Sequence, residues 1–249
     1  MSELIVGRQP VLEALKSARQ LEKVMLVFGV HGAAIQRIRQ LAREQGIAVS
    51  EIDKKRFGEL CHDVAAQGVA AVVATREYVD IDEILSVARR KGEPPFVVIL
   101  DEIEDPHNLG ALIRTAECAG AHGVVIPKHH SATITQTVVK TSAGASLLIP
   151  ITKVTNLTRT LEELKGQGLW IVGADMRGDR TYDDFDYSGA LALVVGSEGK
   201  GIRRLVKEKC DFVVKIPLFG KIESLNASVA GGIMMYEVAR TRHKRQQER

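Results

Sequence analysis

The chain has 249 residues, 45% of them hydrophobic and 26% charged, with a net charge of +3. That is enough apolar material for one large or two small cores, and no low-complexity segment signals disorder. No apolar run approaches the roughly 18 residues of a membrane span, and residues 1–15 carry Glu3, Arg8 and Glu13 in place of a signal-peptide core, so a soluble, cytoplasmic protein with no membrane partner is expected. Cys61, Cys118 and Cys210 are odd in number and lack a C-x-x-C pair, which argues against a disulfide framework or structural zinc and for three reduced, buried thiols.

In chain order, residues 23–28 and 47–52 read as strands around a helix over 32–45. A short helix near 54–61 and a strand near 69–74 complete a small α/β domain over residues 1–75. Residues 76–94 turn charged and end at Gly92-Glu-Pro-Pro95, which reads as a linker holding one amphipathic helix over 81–90. Beyond it, over 95–249, apolar strands at 96–101, 123–127, 147–152, 169–173, 191–195 and 212–216 alternate with helices near 108–119, 133–143, 156–166, 201–208 and 224–241. That alternation is the pattern of a mostly parallel sheet with helices on both faces. The tail, residues 240–249, carries five basic residues and one acidic. It could touch phosphates but more simply frays in solvent.

Three segments share a strand, polar loop and helix-start grammar. The first is Asp105-Pro-His-Asn108-Leu-Gly-Ala-Leu-Ile-Arg114-Thr-Ala116, following an apolar strand. The second is Gly196-Ser-Glu198-Gly199-Lys-Gly201. In the third, Ile216-Pro-Leu-Phe-Gly220-Lys-Ile-Glu-Ser224-Leu225-Asn226-Ala-Ser228, Pro217 stops the strand and Gly220 permits a turn. Ser224 and Asn226 are candidate caps for the last helix, whose free N–H groups would suit an anionic or polar ligand. Ligands of open parallel sheets bind outside the carboxyl ends of the strands, where all three segments sit. Neither G-x-x-x-x-G-K-[ST] nor G-x-G-x-x-G is present, which counts against a P-loop or dinucleotide site. Gly196 is expected where a side chain would crowd a ligand lying across the backbone.

Together and in this order, the segments resemble the signature of the SpoU branch of the SPOUT RNA methyltransferases. The resemblance extends over nearly the whole chain, since Gly7-Arg-Gln-Pro-Val-Leu-Glu-Ala-Leu15 and Gln67-Gly-Val-Ala70 look like the RNA substrate-binding domain of that family. It is greatest to the branch that methylates guanosine in 23S ribosomal RNA. Ser197 and Ala227, where the family often has Asn and Val, depart from the pattern and leave the nucleotide less determined. The resemblance implies a C-terminal domain with a deep trefoil knot, S-adenosylmethionine as cofactor, RNA as substrate, a homodimer and no metal. His129-His130 could suggest a metal site, but adjacent residues rarely chelate one ion. It also implies cofactor contacts at Gly196, Ile216, Leu225, Thr141, Ser142, Gly144 and Ser228.

The same resemblance implies transfer of a methyl group to a ribose 2′-hydroxyl, with Arg114, Asn108, Glu198, Ser224 and Asn226 at the reacting centre. Arg114 lies six helical steps after Asn108, about 240° around and about 9 Å along, so the two cannot share one helix face. One of them would act across a dimer interface; the family suggests that Asn108 reaches the partner's pocket. A guanidinium is essentially never deprotonated, so Arg114 is suited to stabilising negative charge and a poor base, or else it is a surface pair with Glu117. The base could be a substrate phosphate, a water or Glu198, which could equally be a structural carboxylate. Ser224, Asn226 and Ser228 would orient the ribose or Arg114, or cap the helix. Gly231 and Gly232 inside the last helix call for close packing, either on a second subunit or on the chain's own sheet. A tRNA 2′-O-methyltransferase and a non-catalytic ribosome-assembly protein of the same fold are the alternatives. Aromatic residues make up 4% of the chain, leaving little room for base-stacking platforms.

Overall fold

A computed structural model describes residues 4–16, 21–61, 67–73 and 78–247. They form two compact units, one from the described residues up to 73 with 133–136, the other from 78–132 and 137–247. Ala74 and the expected start of the linker at residue 76 lie outside the described residues.

The first unit runs β1 (Leu4–Val6), α1 (Arg8–Lys16), β2 (Leu21–Val27), α2 (Ala33–Glu44), β3 (Ala48–Ile52), α3 (Lys54–Cys61) and β4 (Val69–Val73). Its sheet has the order β1-β4-β2-β3, with β2 and β3 parallel and the other pairs antiparallel. Val11 and Leu15 of α1 and Ile35 and Ile38 of α2 pack with Val24, Leu26 and Ala71. Phe57 and Cys61 of α3 pack with Met25, Ala70 and Val72, whose side chains leave the strands in the alternate direction. β1 and α1, which the sequence pattern did not resolve as elements, complete the edge and one helix layer.

The second unit contains α4 (Ile81–Lys91), β5 (Phe96–Leu100), α5 (Pro106–Cys118), β6 (Gly123–Pro127), α6 (Gln136–Thr141), α7 (Ala145–Leu148) and β7 (Ile151–Val154). It continues with α8 (Leu157–Gly166), β8 (Trp170–Ala174), β9 (Arg180–Thr181), β10 (Leu191–Val195), α9 (Arg204–Lys207), β11 (Phe212–Lys215) and α10 (Ala227–Gln247). The seven strands are all parallel, in the order β7-β6-β5-β10-β8-β11-β9. β5, β6 and β10 are buried along their whole length, as expected of central parallel strands covered on both faces. The chain walks outward from β5 to β7 and then crosses to the far side, so the direction of winding switches between β5 and β10.

Helix α4, expected in a linker, packs into this unit's core: Ile84 and Leu85 join Val97, Ile99, Val125, Leu161 and Val194. The strand expected at 147–152 starts later, because Ala145–Leu148 forms α7 after Gly144 takes a left-handed conformation. The short edge strand β9 was not anticipated.

The expected solvated tail is instead helical to Gln247. Arg242 donates to the carbonyls of Pro94 at 2.7 Å, Pro95 at 3.0 Å, Tyr187 at 3.2 Å and Gly189 at 2.6 Å, and lies 5.3 Å from the Phe96 ring centre. Burial pushes the guanidinium down to about 10. Arg240 pairs with Glu237, and Arg245 bonds Ser188, so three of the tail's arginines engage the chain's own fold. Among the three free thiols Cys61 is buried, Cys210 half-buried and Cys118 exposed, the last correcting the expectation that all are buried. Burial pushes the Cys210 thiol up to about 12, so it is an inert packing group.

Candidate active site

At the winding switch, the loops after β5 and β10 leave adjacent strands whose last residues, Leu100 and Val195, are register partners. Between them lies a cavity of about 260 Å³ lined by Glu102, Ile103, Glu104, Asp105, Asn108, Ser197, Glu198, Lys200 and Ala227. Asp105 caps α5, accepting from the N–H groups of His107 at 3.1 Å and Asn108 at 3.3 Å, and Pro106 fills the first turn, where a missing N–H costs nothing. The cap fixes Asn108 at the cavity wall.

Asn226 ties three segments together. Its Nδ2 donates to Asn108 Oδ1 at 3.0 Å and to Glu198 Oε2 at 3.0 Å. Its Oδ1 accepts from Ser228 N at 2.9 Å, Ser228 Oγ at 2.5 Å and Val229 N at 3.4 Å, which caps α10. Of the two candidate caps, Asn226 serves; Ser224 is exposed and takes no part.

The loop that carries Ser197 and Glu198 is held from below. Asp101 is fully buried and accepts from Arg203 N at 2.9 Å and Arg203 Nε at 2.8 Å, while Arg203 Nε also lies 3.5 Å from Glu102. Lys207 bonds Asp175 at 2.8 Å. Burial alone would raise the Asp175 carboxyl, but Lys207 and the Arg177 N–H hold it below the usual range. A side chain on Gly201 would lie 3.0 Å from Asp175 Oδ2, so the loop sits directly on that pair. Asp101 and Arg203 escaped the sequence reading, although a carboxylate directly after five apolar strand residues was a usable signal.

The reason for Gly196 differs from the expected one. A Cβ there would meet the Gly201 carbonyl carbon at 2.1 Å, because Ser197 and Gly201 exchange main-chain bonds of 3.1 and 2.9 Å. The glycine is demanded by the chain's own turn. Thr141 packs against Gly110, where a Cβ would lie 1.9 Å from its Oγ1, and that hydroxyl bonds Thr137 O at 2.9 Å. Ser142 is buried, donating to Val139 O and Ser146 Oγ at 3.1 Å. Gly144, with φ 85°, precedes α7. None of these three, nor Gly196, Ile216, Leu225 or Ser228, lines the cavity. Residues 216–225 form no main-chain hydrogen bond among the described residues, although Ile216 and Leu225 are half-buried.

Arg114 is exposed on α5, outside the cavity, and its side chain makes no hydrogen bond or ion pair among the described residues; the pair with Glu117 is not formed. Since α5 starts at Pro106, both Asn108 and Arg114 are helical and diverge as their spacing requires. It is Asn108 that lies in its own chain's cavity. Gly231 packs within the chain: a Cβ there would sit 2.4 Å from Leu112 Cδ2. His130 lies 3.7 Å from Glu104.

A family model described as the SpoU rRNA methylase family matches residues 95–236, and one described as RNA 2′-O ribose methyltransferase substrate binding matches residues 4–79. A Bacillus subtilis protein assigned to the TrmH family of tRNA/rRNA methyltransferases is 47% identical over 241 residues, covering 97% of this chain and 96% of its own. The chain belongs to the SpoU methylase family. Among solved structures, the SpoU methyltransferase AviRb of Streptomyces viridochromogenes, crystallised with AdoMet, aligns with a TM-score of 0.62 at 25% identity, over 97% of this chain and 90% of that one. A TrmH/SpoU tRNA modifying enzyme of A. aeolicus aligns with a TM-score of 0.57 at 28% identity, over 66% of this chain and 85% of that one. Membership of the SpoU family makes the chain an RNA methyltransferase.

Proposed function

We propose that this SpoU-family protein transfers the methyl group of S-adenosylmethionine to a ribose 2′-hydroxyl of RNA, specifically a guanosine of 23S ribosomal RNA. It would do so as a cytoplasmic homodimer whose second domain, α10 included, is threaded as a trefoil knot. The observation that carries the reading is Asn226, which joins a wall of the cavity at Asn108, a carboxylate at Glu198 and the start of α10.

The residues present fit the cofactor. Ile216 and Leu225 are half-buried residues in a segment with no main-chain hydrogen bond among the described residues, which leaves its backbone groups available to a ligand. Ile216, Leu225 and Gly196 would hold it, with the Thr141, Ser142 and Gly144 segment as a further wall. S-adenosylmethionine supplies, when bound, an electrophilic methyl group. The chain's own groups handle the hydroxyl. Glu198 has Oε2 engaged by Asn226 and Oε1 without a partner among the described residues, placing an acceptor at the cavity. Arg114 is exposed and does not line its own cavity, so it would serve the site of a second copy, where its fixed positive charge would stabilise the developing alkoxide. The 23S assignment is supported by the N-terminal unit, which matches the substrate-binding model. The A. aeolicus tRNA enzyme covers only 66% of this chain.

The test is methyl transfer from labelled S-adenosylmethionine to deproteinised ribosomal RNA and to bulk tRNA, with 2′-O-methyl mapping in cells with and without the gene. Loss of one 23S guanosine mark is expected. Loss of a tRNA mark alone would overturn the substrate, and no cofactor binding would overturn the activity.

A further inference from the structure

The first unit gathers four loops at one end of its sheet. Phe28 N bonds Ile52 O at 3.0 Å, Val27 N bonds Gly68 O at 2.9 Å, Gly7 N bonds Val69 O at 2.8 Å, and Arg8 Nε reaches Gln67 O at 3.5 Å. The end is therefore one continuous surface made by the starts of α1 and α3, the β2–α2 loop and the turn before β4. The two neighbouring loops approach closely there: a side chain on Gly68 would meet Val30 Cγ2 at 2.7 Å.

An aromatic ring and a run of cations are exposed on it, with Glu51 engaged by Arg39 and Glu59 one turn further along α3. Phe28 is 62% exposed. Lys54, Lys55 and Arg56 are exposed at the first turn of α3, and none of them, nor Arg8, pairs with a carboxylate among the described residues. Asp53, the acidic residue among them, has Oδ1 occupied by the Arg56 N–H at 2.9 Å. Helix α2 opens at Gly32 with no side-chain cap. A flat aromatic face beside unpaired cations matches a nucleotide, with its base on one and its phosphates on the others.

We propose that this end of the first unit is an RNA-binding face, with an unpaired base stacked on Phe28 and backbone phosphates held by Arg8, Lys54, Lys55 and Arg56. The inference rests on the reading of the protein as an RNA methyltransferase and adds where, and by which groups, the substrate is gripped away from the reacting centre. The scarcity of aromatic residues does not oppose it, since a single exposed ring suffices for one base. An unpaired base is preferred to a duplex because a ring on a sheet end can stack only on a base that has left its helix.

Full-length protein would be titrated by fluorescence anisotropy with end-labelled fragments of deproteinised 23S ribosomal RNA, over a range of salt concentrations. Phe28→Ala is expected to weaken binding about tenfold with an unchanged salt slope. The combined variant Lys54→Glu, Lys55→Glu and Arg56→Glu is expected to lower the log affinity against log salt slope by about two. Arg37→Glu with Arg43→Glu, on the exposed side of α2, serves as a charge control and should leave the slope within about one unit of wild type. Circular dichroism and S-adenosylmethionine calorimetry on the same proteins separate misfolding from lost RNA contact. Wild-type affinity and slope in both the aromatic and the combined variant would overturn the face while leaving the methyltransferase reading intact. A wild-type protein that binds the cofactor but no RNA would overturn the reading and the face with it.

Discussion

Asn226 and Asn108 meet side chain to side chain at 3.0 Å, although 118 residues separate them. The amide that makes this contact also caps α10 through its oxygen, so one residue divides into a structural half and a site half. Asn226→Asp separates them. The carboxylate keeps an acceptor for the Ser228 and Val229 N–H groups, so stability should change by less than about 1 kcal/mol. It loses the donor to Asn108 and sets a negative charge beside Glu198, where like charges disfavour each other. Methyl transfer should fall by at least about tenfold while the melting temperature stays near wild type; transfer at the wild-type rate would show that the Asn226–Glu198 bond has no part in the reaction.

The divergence of Asn108 and Arg114 along α5 makes the proposed dimer open to a mixing experiment. Arg114→Ala and Asn108→Ala should each abolish most transfer alone. If each site takes Asn108 from one copy and Arg114 from the other, subunits unfolded and refolded together form hetero-pairs with one intact site. By random pairing of a two-fold dimer, about one quarter of wild-type activity should return. No recovery in mixtures shown by mass to contain hetero-pairs would place both residues in one subunit's site.

Some local features around the cavity were legible in the sequence. A β-branched run ending at Pro217 and a cap such as Asn226 announce themselves within a few residues. The parallel sheet was legible too, since buried strands such as residues 96–100 and 191–195 leave no polar alternation. What the sequence hid is long-range pairing. Arg203 gains its role only from Asp101, 102 residues away, and Gly196 is required by Gly201 only once the turn closes. Arg242 looked like part of a solvated tail because its four carbonyl partners lie at the mouths of other elements. The linker helix was misplaced because a charged, amphipathic stretch does not reveal which core takes its apolar stripe.

His122 gives the fold a signature in mild acid. Its ring is fully buried, with Nδ1 accepting from Phe96 N at 2.9 Å and Nε2 at 3.1 Å from Glu93. Burial holds the imidazole below its ordinary value, against the opposing bond to Glu93. A depressed folded value means the unfolded chain takes up the proton first. The stabilisation is therefore full above the unfolded value of about 6.5 and is lost as pH falls through that value toward the folded one. Asp175, Asp186 and Glu83 are held below the usual carboxylate range and act only at lower pH. His122→Asn, whose amide oxygen can replace Nδ1 as acceptor, should be less stable at pH 8 yet lose less stability than wild type between pH 7 and 5. Parallel melting curves for the two proteins across that window would show that His122 does not titrate with unfolding.

Gly231 and Gly232 are adjacent in α10 and should answer alanine with opposite signs. Each glycine costs a helix interior about 1 kcal/mol relative to alanine, so propensity alone favours both substitutions. At Gly232 the added methyl meets only Thr115 Cγ2, at 3.9 Å, an ordinary contact. Gly232→Ala should therefore raise stability by up to about 1 kcal/mol. At Gly231 the methyl would lie 2.4 Å from Leu112 Cδ2 and 3.4 Å from Val195 Cγ1. Leu112 is fully buried against the sheet and has little room to turn, and overpacking of this kind costs about 1–3 kcal/mol, which outweighs the propensity gain. Gly231→Ala should lower stability by about 1 kcal/mol or more, measured by denaturant unfolding followed at a helix-sensitive wavelength. Equal gains at both positions would mean that α10 stands further from α5 than the packing of Leu112 requires.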